Sequence, residues 1–117
     1  MSMKVYGLRT CETCRKALSA LEAAGHTPEF VDVRAEASVS GKIPGWIEAV
    51  GADTIVNRAS MTWRKLSDTE KAKADDTAAL AGLLDTHRTL IKRPLIEADG
   101  AVSVGWNKDV KARFGVS

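Results

Sequence analysis

The sequence predicts an α/β fold with a mixed four-stranded sheet and an all-helical insertion between the two halves of the sheet. Near the N-terminus a strand, a helix and a second strand follow one another, an order typical of a right-handed βαβ unit with parallel strands. The middle of the chain has helical periodicity, and Asp99-Gly100 joins two short apolar runs near the C-terminus, as in a β-hairpin. We therefore predict a single domain over 1–117, with the insertion at about 38–90.

The first βαβ unit is predicted from apolar spacing. Met3–Tyr6 reads as a buried strand, and a helix is predicted over Arg15–Ala24, with Gly25 as its stop. A second strand is predicted over Glu29–Val33, just after Pro28. The helix and the residues before it carry side chains at intervals of three and four along one face: Cys11, Cys14, Leu18 and Leu21.

Three helices are predicted in the insertion. Pro44–Val50 has apolar residues at helical spacing and is closed by Gly51. Ser67 and Glu70 have the spacing of a capping box, which predicts a helix start. Thr77–His87 repeats the helical pattern.

The C-terminal part is predicted to complete the sheet. Ile91–Ile96 and Ala101–Val104 are the strands of the hairpin, and Lys108–Phe114 is a short closing helix. The predicted order is therefore βαβ, helical insertion, ββα, with helices on both faces of the sheet.

Composition narrows the classes of partner. Lys and Arg number 17 against 15 Asp and Glu, which gives a formal net charge of +2. Such a balance argues against direct nucleic-acid binding and against an anionic membrane. No apolar run is long enough to span a bilayer, and the N-terminus lacks a signal-peptide pattern. We therefore expect a cytoplasmic protein whose two cysteines are reduced at rest, and nothing demands more than a monomer.

Cys11-Glu-Thr-Cys14 lies at the predicted junction of strand and helix. A Cys-x-x-Cys motif in this place is the local signature of a thioredoxin-like redox site. Free N–H groups and the positive end of the helix dipole stabilise a thiolate there. Cys11 is the candidate nucleophile, and we expect Arg9 and Arg15 to lower its pKa against the opposing charge of Glu12. Cys14, one turn deeper on the apolar face, is the candidate resolving thiol.

Two other interpretations of the cysteines stay open at this point. Both could be small core residues, because free cysteine is commonly buried. A zinc site would need two more ligands, and His26 and His87 lack metal-ligand spacing. We therefore predict no metal site and no bound cofactor.

A second candidate feature is Lys92-Arg93-Pro94. Pro94 either begins an edge strand or follows a cis bond at a turn. In thioredoxin-like folds a cis-proline loop lies against the active-site cysteine, and here Lys92 and Arg93 would add an anion-binding fork. Alternatively, the basic pair is solvated and caps the preceding helix.

A third feature is Trp63, which has Arg58, Arg64 and Lys65 near it in the sequence. An exposed Trp between cations could form a binding surface. A core Trp with its charged neighbours in water is the more common arrangement, and we favour it here.

Three sequence blocks in this order resemble the ArsC/Spx/YffB family of arsenate reductase-related proteins, and the YffB-like branch in particular. The blocks are Cys11-x-x-Cys14-Arg-Lys-Ala17, Trp63-Arg-Lys-Leu66 and Ile91-Lys-Arg-Pro-Leu95. The resemblance covers essentially the whole chain. It implies a thioredoxin-like, glutaredoxin-type fold with an inserted helical subdomain. It also implies Cys11 as the attacking residue, Arg93 as an oxyanion-side arginine and Pro94 as the cis-proline.

The resemblance also bears on the substrate. Arsenate reductases of this type place three arginines around the cysteine. Arg93 matches one, the second falls near Arg58 and Ala59, and Trp106 stands where the third is expected. An oxyanion held by fewer cations is bound less tightly and oriented less well, which counts against arsenate reduction.

The predicted function is a thiol-dependent reductase, linked to glutathione, that acts on a small oxyanion or disulfide substrate. The predicted catalytic residues are Cys11, Cys14 and Arg93, and the predicted substrate-binding residues are Thr10, Arg15, Arg58, Lys92 and Pro94. Glutathione is the expected co-substrate, and glutathione or glutaredoxin the expected partner. The alternative is an Spx-like redox-sensing regulator that binds a protein partner such as RNA polymerase.

Overall fold

The computed structural model describes residues 3–116. Its strands are β1 (Met3–Gly7), β2 (Pro28–Asp32), β3 (Leu95–Ala98) and β4 (Ala101–Val104). Its α-helices are α1 (Glu12–Ala23), α2 (Val39–Val50), α3 (Ala52–Ile55), α4 (Met61–Arg64), α5 (Asp68–Ala72), α6 (Thr77–Thr86) and α7 (Lys108–Arg113). Short 3₁₀ turns lie at Lys73–Asp75 and Arg88–Leu90.

The strands form one mixed sheet in the order β2-β1-β3-β4. β1 is parallel to β2, with Val5 opposite Phe30, and antiparallel to β3, with Val5 also opposite Ile96. β3 and β4 form the predicted hairpin around Asp99 and Gly100, whose φ angles of 53° and 79° suit a type I′ turn. The predicted mixed four-stranded sheet is confirmed.

The chain divides into two compact units. The sheet unit comprises the described residues up to Val33 and from Arg93 onward, and the helical unit comprises Arg34–Lys92. The helical unit contains α2 to α6 and no strand within the described residues, in agreement with the predicted all-helical insertion.

The sheet unit has its core on one sheet face, between the strands and helices α1 and α7. Side chains at alternate positions of a strand share a face, which explains why Met3 and Val5 of β1 pack with Ile96 of β3. Leu21 of α1 and Val110 of α7 complete this buried cluster. The apolar stripe predicted along α1 therefore faces the sheet, and the motif at its start is held by a packed element.

In the helical unit, α2 packs against α6. Val39, Ile43, Trp46 and Ile47 of α2 are buried, at the spacing of one helical face. Leu80, Leu83 and Leu84 are the buried residues of α6. The capping box predicted at Ser67 and Glu70 is present at the start of α5.

The element boundaries differ from the prediction by three residues or more in three places. α2 begins at Val39 instead of Pro44, because the buried stripe starts there and outweighs the breaker residues Gly41 and Pro44. α1 begins at Glu12 instead of Arg15. Ile91 makes only an isolated bridge to Val56, so its strand begins at Leu95. The four-residue helices α3 and α4 lack enough turns to show periodicity and were not predicted.

Within residues 3–116, no helix is both long enough and apolar enough to cross a membrane. The same residues include no group of three or more His, Cys, Asp or Glu side chains placed to hold a metal ion.

Candidate functional site

The turn after β1 places Cys11 at the start of α1. The Cys11 N–H donates to the Leu8 carbonyl at 3.0 Å, and the Cys11 carbonyl accepts from the Arg15 N–H at 3.1 Å. Cys11 is the N-cap residue, with the extended φ and ψ of −83° and 117° usual for that position. Its sulfur therefore lies beside the free N–H groups of the first turn.

The surroundings of Cys11 favour its ionised form. Partial burial is the largest single influence on its pKa and raises it, but hydrogen bonds and charge together outweigh burial and lower the pKa below its ordinary value. The donors are the backbone N–H of Cys14, the thiol of Cys14 and the guanidinium of Arg93, whose positive charge adds to the effect. As a thiol Cys11 makes no capping hydrogen bond, so these donors act on the thiolate.

Cys14 has the opposite environment. It is fully buried, at 0% exposure, and this burial raises its pKa to about 11. The Leu8 backbone N–H works against the rise, while the hydrogen bond and negative charge of Cys11 add to it. Cys14 is therefore a protonated donor at neutral pH, and Cys11 is the acceptor. Both cysteines are free thiols here.

Gly7 makes room for the Cys14 side chain. A methyl group at position 7 would lie 2.5 Å from the Cys14 sulfur and 3.2 Å from its β-carbon. Any larger residue would therefore displace Cys14 or the strand. Gly7 was not among the predicted site residues. A glycine at the end of a strand was the available signal, since it often marks a close approach of another group.

The Arg93–Pro94 peptide bond is cis, as the family resemblance implies. Pro94 is buried, and its carbonyl accepts from the Gly105 N–H at 2.9 Å. This bond ties the residue before β3 to the residue after β4. Arg93, which precedes the proline, is the cation that reaches Cys11.

The other predicted residues of the sheet unit are placed around this centre. Thr10 is exposed in the turn before Cys11, and Arg15 is exposed in the first turns of α1. Arg9 was expected to act on Cys11, but its guanidinium lies over the Phe30 ring, 4.8 Å from the ring centroid. The structure thus assigns the pKa-lowering charge to Arg93, a residue far from Cys11 in the sequence.

Arg58 and Lys92 belong to the helical unit. Arg58 pairs with Asp53 at 3.4 Å and lies over the Trp63 ring at 5.4 Å. The Lys92 side chain is exposed, and its backbone N–H donates to the Ile55 carbonyl at 2.8 Å. The substrate-binding role of these two residues stays a prediction.

Trp63 is not the fully buried core residue that we predicted from the sequence. It is half-buried, and Lys71 joins Arg58 over its ring, at 5.8 Å from the centroid. Arg64 and Lys65, its sequence neighbours, are exposed. Sequence proximity therefore identified only one of the two cations that contact the ring.

Known proteins are similar in sequence to nearly the whole of this chain. The model of the ArsC family matches residues 6–114. An uncharacterized protein of Haemophilus influenzae is 36% identical over 111 residues, which cover 94% of this chain and 96% of that protein.

Solved structures are similar over the same extent. A YffB protein has 32% identity and a TM-score of 0.85, covering 96% of this chain and 97% of its own. An arsenate reductase (ArsC) related protein from Brucella melitensis has 30% identity and a TM-score of 0.76, covering 99% and 97%. These likenesses confirm the predicted thioredoxin-like fold with its helical insertion.

Proposed function

This chain belongs to the ArsC family, and from that premise we propose that it is a thiol-dependent oxidoreductase that uses glutathione as co-substrate. The observation that carries the proposal is the environment of Cys11, whose sulfur receives donors from Cys14 and Arg93 that lower its pKa. A thiolate is the nucleophilic form of cysteine. A thiol with a lowered pKa that is only partly buried suits attack on an oxidised sulfur.

In the first step, the Cys11 thiolate attacks the glutathione sulfur of a mixed disulfide between glutathione and a substrate thiol. A bond forms between Cys11 and that sulfur, the substrate sulfur–sulfur bond breaks, and the substrate leaves as a thiolate that takes a proton from water. Arg93 lies beside the reacting sulfur and stabilises negative charge on the bound species. Thr10, Arg15, Arg58, Lys92 and Pro94 are the proposed substrate-binding residues.

In the second step, an external glutathione thiolate attacks the glutathione sulfur of this adduct. Glutathione disulfide leaves, and Cys11 returns as a thiolate. Cys14 is poorly suited to this step at neutral pH. Burial, the largest cause of its raised pKa, does not depend on the charge of Cys11 and favours the protonated form of Cys14 in the adduct as well.

Cys14 then has a different main role, as a donor to the Cys11 thiolate. Its high pKa keeps the proton on its sulfur, where it is one of the donors that stabilise the Cys11 thiolate. Once Cys11 is in a mixed disulfide, its negative charge is gone and one cause of the raised pKa of Cys14 goes with it. Cys14 can then resolve the adduct slowly, which forms a Cys11–Cys14 disulfide and releases glutathione. Glutaredoxin or two further glutathione molecules would reduce that disulfide.

A disulfide substrate is favoured over arsenate. Among the described residues of the sheet unit, Arg93 is the arginine that lowers the pKa of Cys11. Trp106 packs against the core cluster of the sheet unit, where it provides no positive charge. A disulfide needs fewer cations than a doubly charged oxyanion does. A cytoplasmic location remains part of the proposal, because a reducing compartment keeps such thiols free.

The test uses a glutathionylated peptide with excess glutathione, and measures release of the peptide thiol. Cys11→Ser should reduce turnover to the uncatalysed rate. Cys14→Ser should retain turnover, because the serine hydroxyl can still donate to the Cys11 thiolate and glutathione resolves the adduct. Turnover by Cys11→Ser above the uncatalysed rate would rule the mechanism out. Loss of turnover in Cys14→Ser at every pH would show that Cys14, and not glutathione, resolves the adduct.

The alternative function is a redox-sensing regulator of the Spx kind. One observation favours it: Cys14 is packed against Gly7, so any movement of the Cys14 sulfur on forming a Cys11–Cys14 disulfide would disturb a tightly fitted region. The two functions differ in their products. A protein partner, with RNA polymerase tested first, that binds only the oxidised chain and an absence of thiol turnover would support the regulator.

A further inference from the structure

The helical unit carries a half-buried aromatic ring with two cations over it. Trp63 belongs to α4, and the Arg58 guanidinium and the Lys71 ammonium lie 5.4 Å and 5.8 Å from its ring centroid. Cation–π attraction holds each cation against the ring, but the two cations have the same charge and repel each other. A negatively charged group bound beside them would offset that repulsion.

Positive charge is concentrated in the sequence around this ring. Residues 58–73 include five Lys or Arg, whereas Asp68 and Glu70 are the two acidic residues of this segment. The excess of three positive charges in this short segment is larger than the formal net charge of +2 for the whole chain. Arg64 and Lys65, which follow the tryptophan, are both exposed. The segment is therefore a basic surface on a protein whose total charge is nearly balanced.

The carboxylates of the chain neutralise little of this positive charge. Arg58 pairs with Asp53 at 3.4 Å, but both side chains are exposed, and an exposed ion pair contributes little. Within the described part of the chain, no ion pair involves Arg64, Lys65 or Lys71. These cations are therefore available to the carboxylates of another molecule.

An apolar groove lies next to the basic residues. Met61 of α4 is 62% exposed, and it lines a groove of about 330 Å³ together with Leu66 and Lys65. The Glu70 carboxylate also lines the groove, but it already accepts from the His87 ring at 3.2 Å. A groove with apolar walls and a cation at its edge fits a partner of the opposite arrangement, in which carboxylates flank an apolar side chain.

The arrangement of the cations favours an acidic peptide over a nucleic acid. Bases bind aromatic side chains by stacking on the ring face. Arg58 and Lys71 already lie over the Trp63 ring, so a base would have to compete with them for it. A carboxylate, in contrast, binds the cations where they lie, through charge-assisted hydrogen bonds.

We propose that the surface formed by Met61, Trp63, Lys65 and Lys71, here called the Trp63 surface, binds an acidic segment of a partner protein. Carboxylates of the partner pair with the two lysines, and an apolar side chain between those carboxylates enters the groove beside Met61. All four residues belong to the helical unit, and the proposal does not depend on the thiol chemistry. Arg58 is left unchanged in the test, because it is one of the proposed substrate-binding residues.

The test uses a short peptide with blocked ends, in which glutamates flank a central leucine. One control peptide has glutamine in place of every glutamate, and another has serine in place of leucine. Signals in ¹H–¹⁵N spectra report where each peptide binds. We expect saturable shifts at Met61, Trp63, Lys65 and Lys71 that weaken as NaCl is added. Binding should be about tenfold weaker for the glutamine peptide and about threefold weaker for the serine peptide.

Lys71→Gln is the decisive variant, and Lys108→Gln is its matched control, because Lys108 is an exposed lysine of the sheet unit. Each removes one positive charge, but Lys71→Gln alone should weaken binding of the glutamate peptide, by about threefold. Lys65→Gln should act like Lys71→Gln, and Lys71→Arg should retain binding.

Three results would overturn the proposal. They are equal affinity for the glutamate peptide in Lys71→Gln and Lys108→Gln, equal affinity of the wild type for the glutamine and glutamate peptides, and tighter binding of a single-stranded oligothymidylate than of the glutamate peptide. Cys11 alkylation should be the same in Lys71→Gln and the wild type, so this test and the reductase test are read separately.

Discussion

The first turns of α1 and α5 use the same helix position in two different ways. At α5 the Ser67 hydroxyl accepts from the Glu70 N–H at 3.1 Å, and the Glu70 carboxylate accepts from the Ser67 N–H at 3.4 Å. At α1 the corresponding residue is Cys11, whose thiol makes no capping bond. An oxygen cap stabilises a helix at any pH, whereas the sulfur does so only once it is ionised. In our proposal the start of α1 lacks the oxygen cap of α5 but holds the nucleophile.

Both helix starts favour a negatively charged group, and in our proposal only the group at α1 is reactive. Glu70 has a lowered pKa, mainly because the Ser67 backbone N–H donates to it, with the His87 ring adding a second contact at 3.2 Å. Cys11 has a lowered pKa although burial opposes it. The same N-terminal donors therefore serve structure in the helical unit and, in our proposal, chemistry in the sheet unit.

The largest expected effect is on the packing beneath the α1 site. Gly7→Ala should destabilise the protein by about 2 kcal/mol, because its methyl group would lie 2.5 Å from the Cys14 sulfur. Urea unfolding measures the change. Gly82→Ala in α6 is the matched control, since a methyl group there meets nothing within 4 Å, and it should stabilise by about 0.5–1 kcal/mol. Equal effects at the two glycines would refute the packing role of Gly7.

The next effect concerns the charge that makes α1 reactive. Arg93→Met should slow alkylation of Cys11 by iodoacetamide about tenfold at pH 6, because the thiolate loses its cationic donor. Arg9→Met is the control, as Arg9 lies over Phe30 and should leave the rate unchanged. If Arg9→Met slowed alkylation and Arg93→Met did not, the charge would have been assigned to the wrong residue.

On the α5 side, the effect is smaller and purely structural. Ser67→Ala removes the side chain that accepts from the Glu70 N–H, and we expect a loss of about 1 kcal/mol in the free energy of unfolding. Ser38→Ala is the control. Ser38 is the N-cap residue of α2 but makes no side-chain capping bond, so its loss should be well under half as large. Similar losses of stability at both serines would show that the Ser67 capping bond does not stabilise α5 in particular.

These two regions also show what the sequence could and could not reveal. Spacing alone placed Cys11 and Cys14 on one side of α1, and the capping-box pattern located the start of α5. Both are local features, set by residues three or four positions apart. The sulfur of Cys11 and the cap of Ser67 were therefore predictable in position.

The contacts between distant segments could not be predicted in the same way. Arg9 precedes Cys11 closely but faces Phe30, while the sheet brings Arg93 to Cys11 from the far end of the chain. The Lys92-Arg93-Pro94 pattern and the family resemblance identified Arg93, and periodicity did not. Likewise, the buried stripe that starts α2 at Val39 becomes visible only when α6 covers it. Tertiary packing decides such cases, and one sequence does not record it.

The smallest effect follows from putting an α5-type cap at the start of α1. Cys11→Ser supplies an oxygen that accepts in every protonation state, so at pH 6 it should stabilise the protein by about 0.5 kcal/mol. Thermal unfolding over a range of pH values measures this gain. Such a gain would show that the Cys11 thiol is a poor helix cap. The same variant is expected to lose turnover.

The pH dependence of this gain separates capping from any general effect of serine. The pKa of Cys11 is lower in the folded chain than its ordinary value of 9.0. Its contribution to stability is therefore fully present above pH 9 and is lost as pH falls through the lowered pKa. As pH rises from 6 to 9, the stability of the wild type should therefore approach that of Cys11→Ser. The difference in stability between the two proteins should shrink. An advantage of the serine variant that stays constant or grows over this range would mean that the thiolate does not cap α1, and the contrast with α5 would fail.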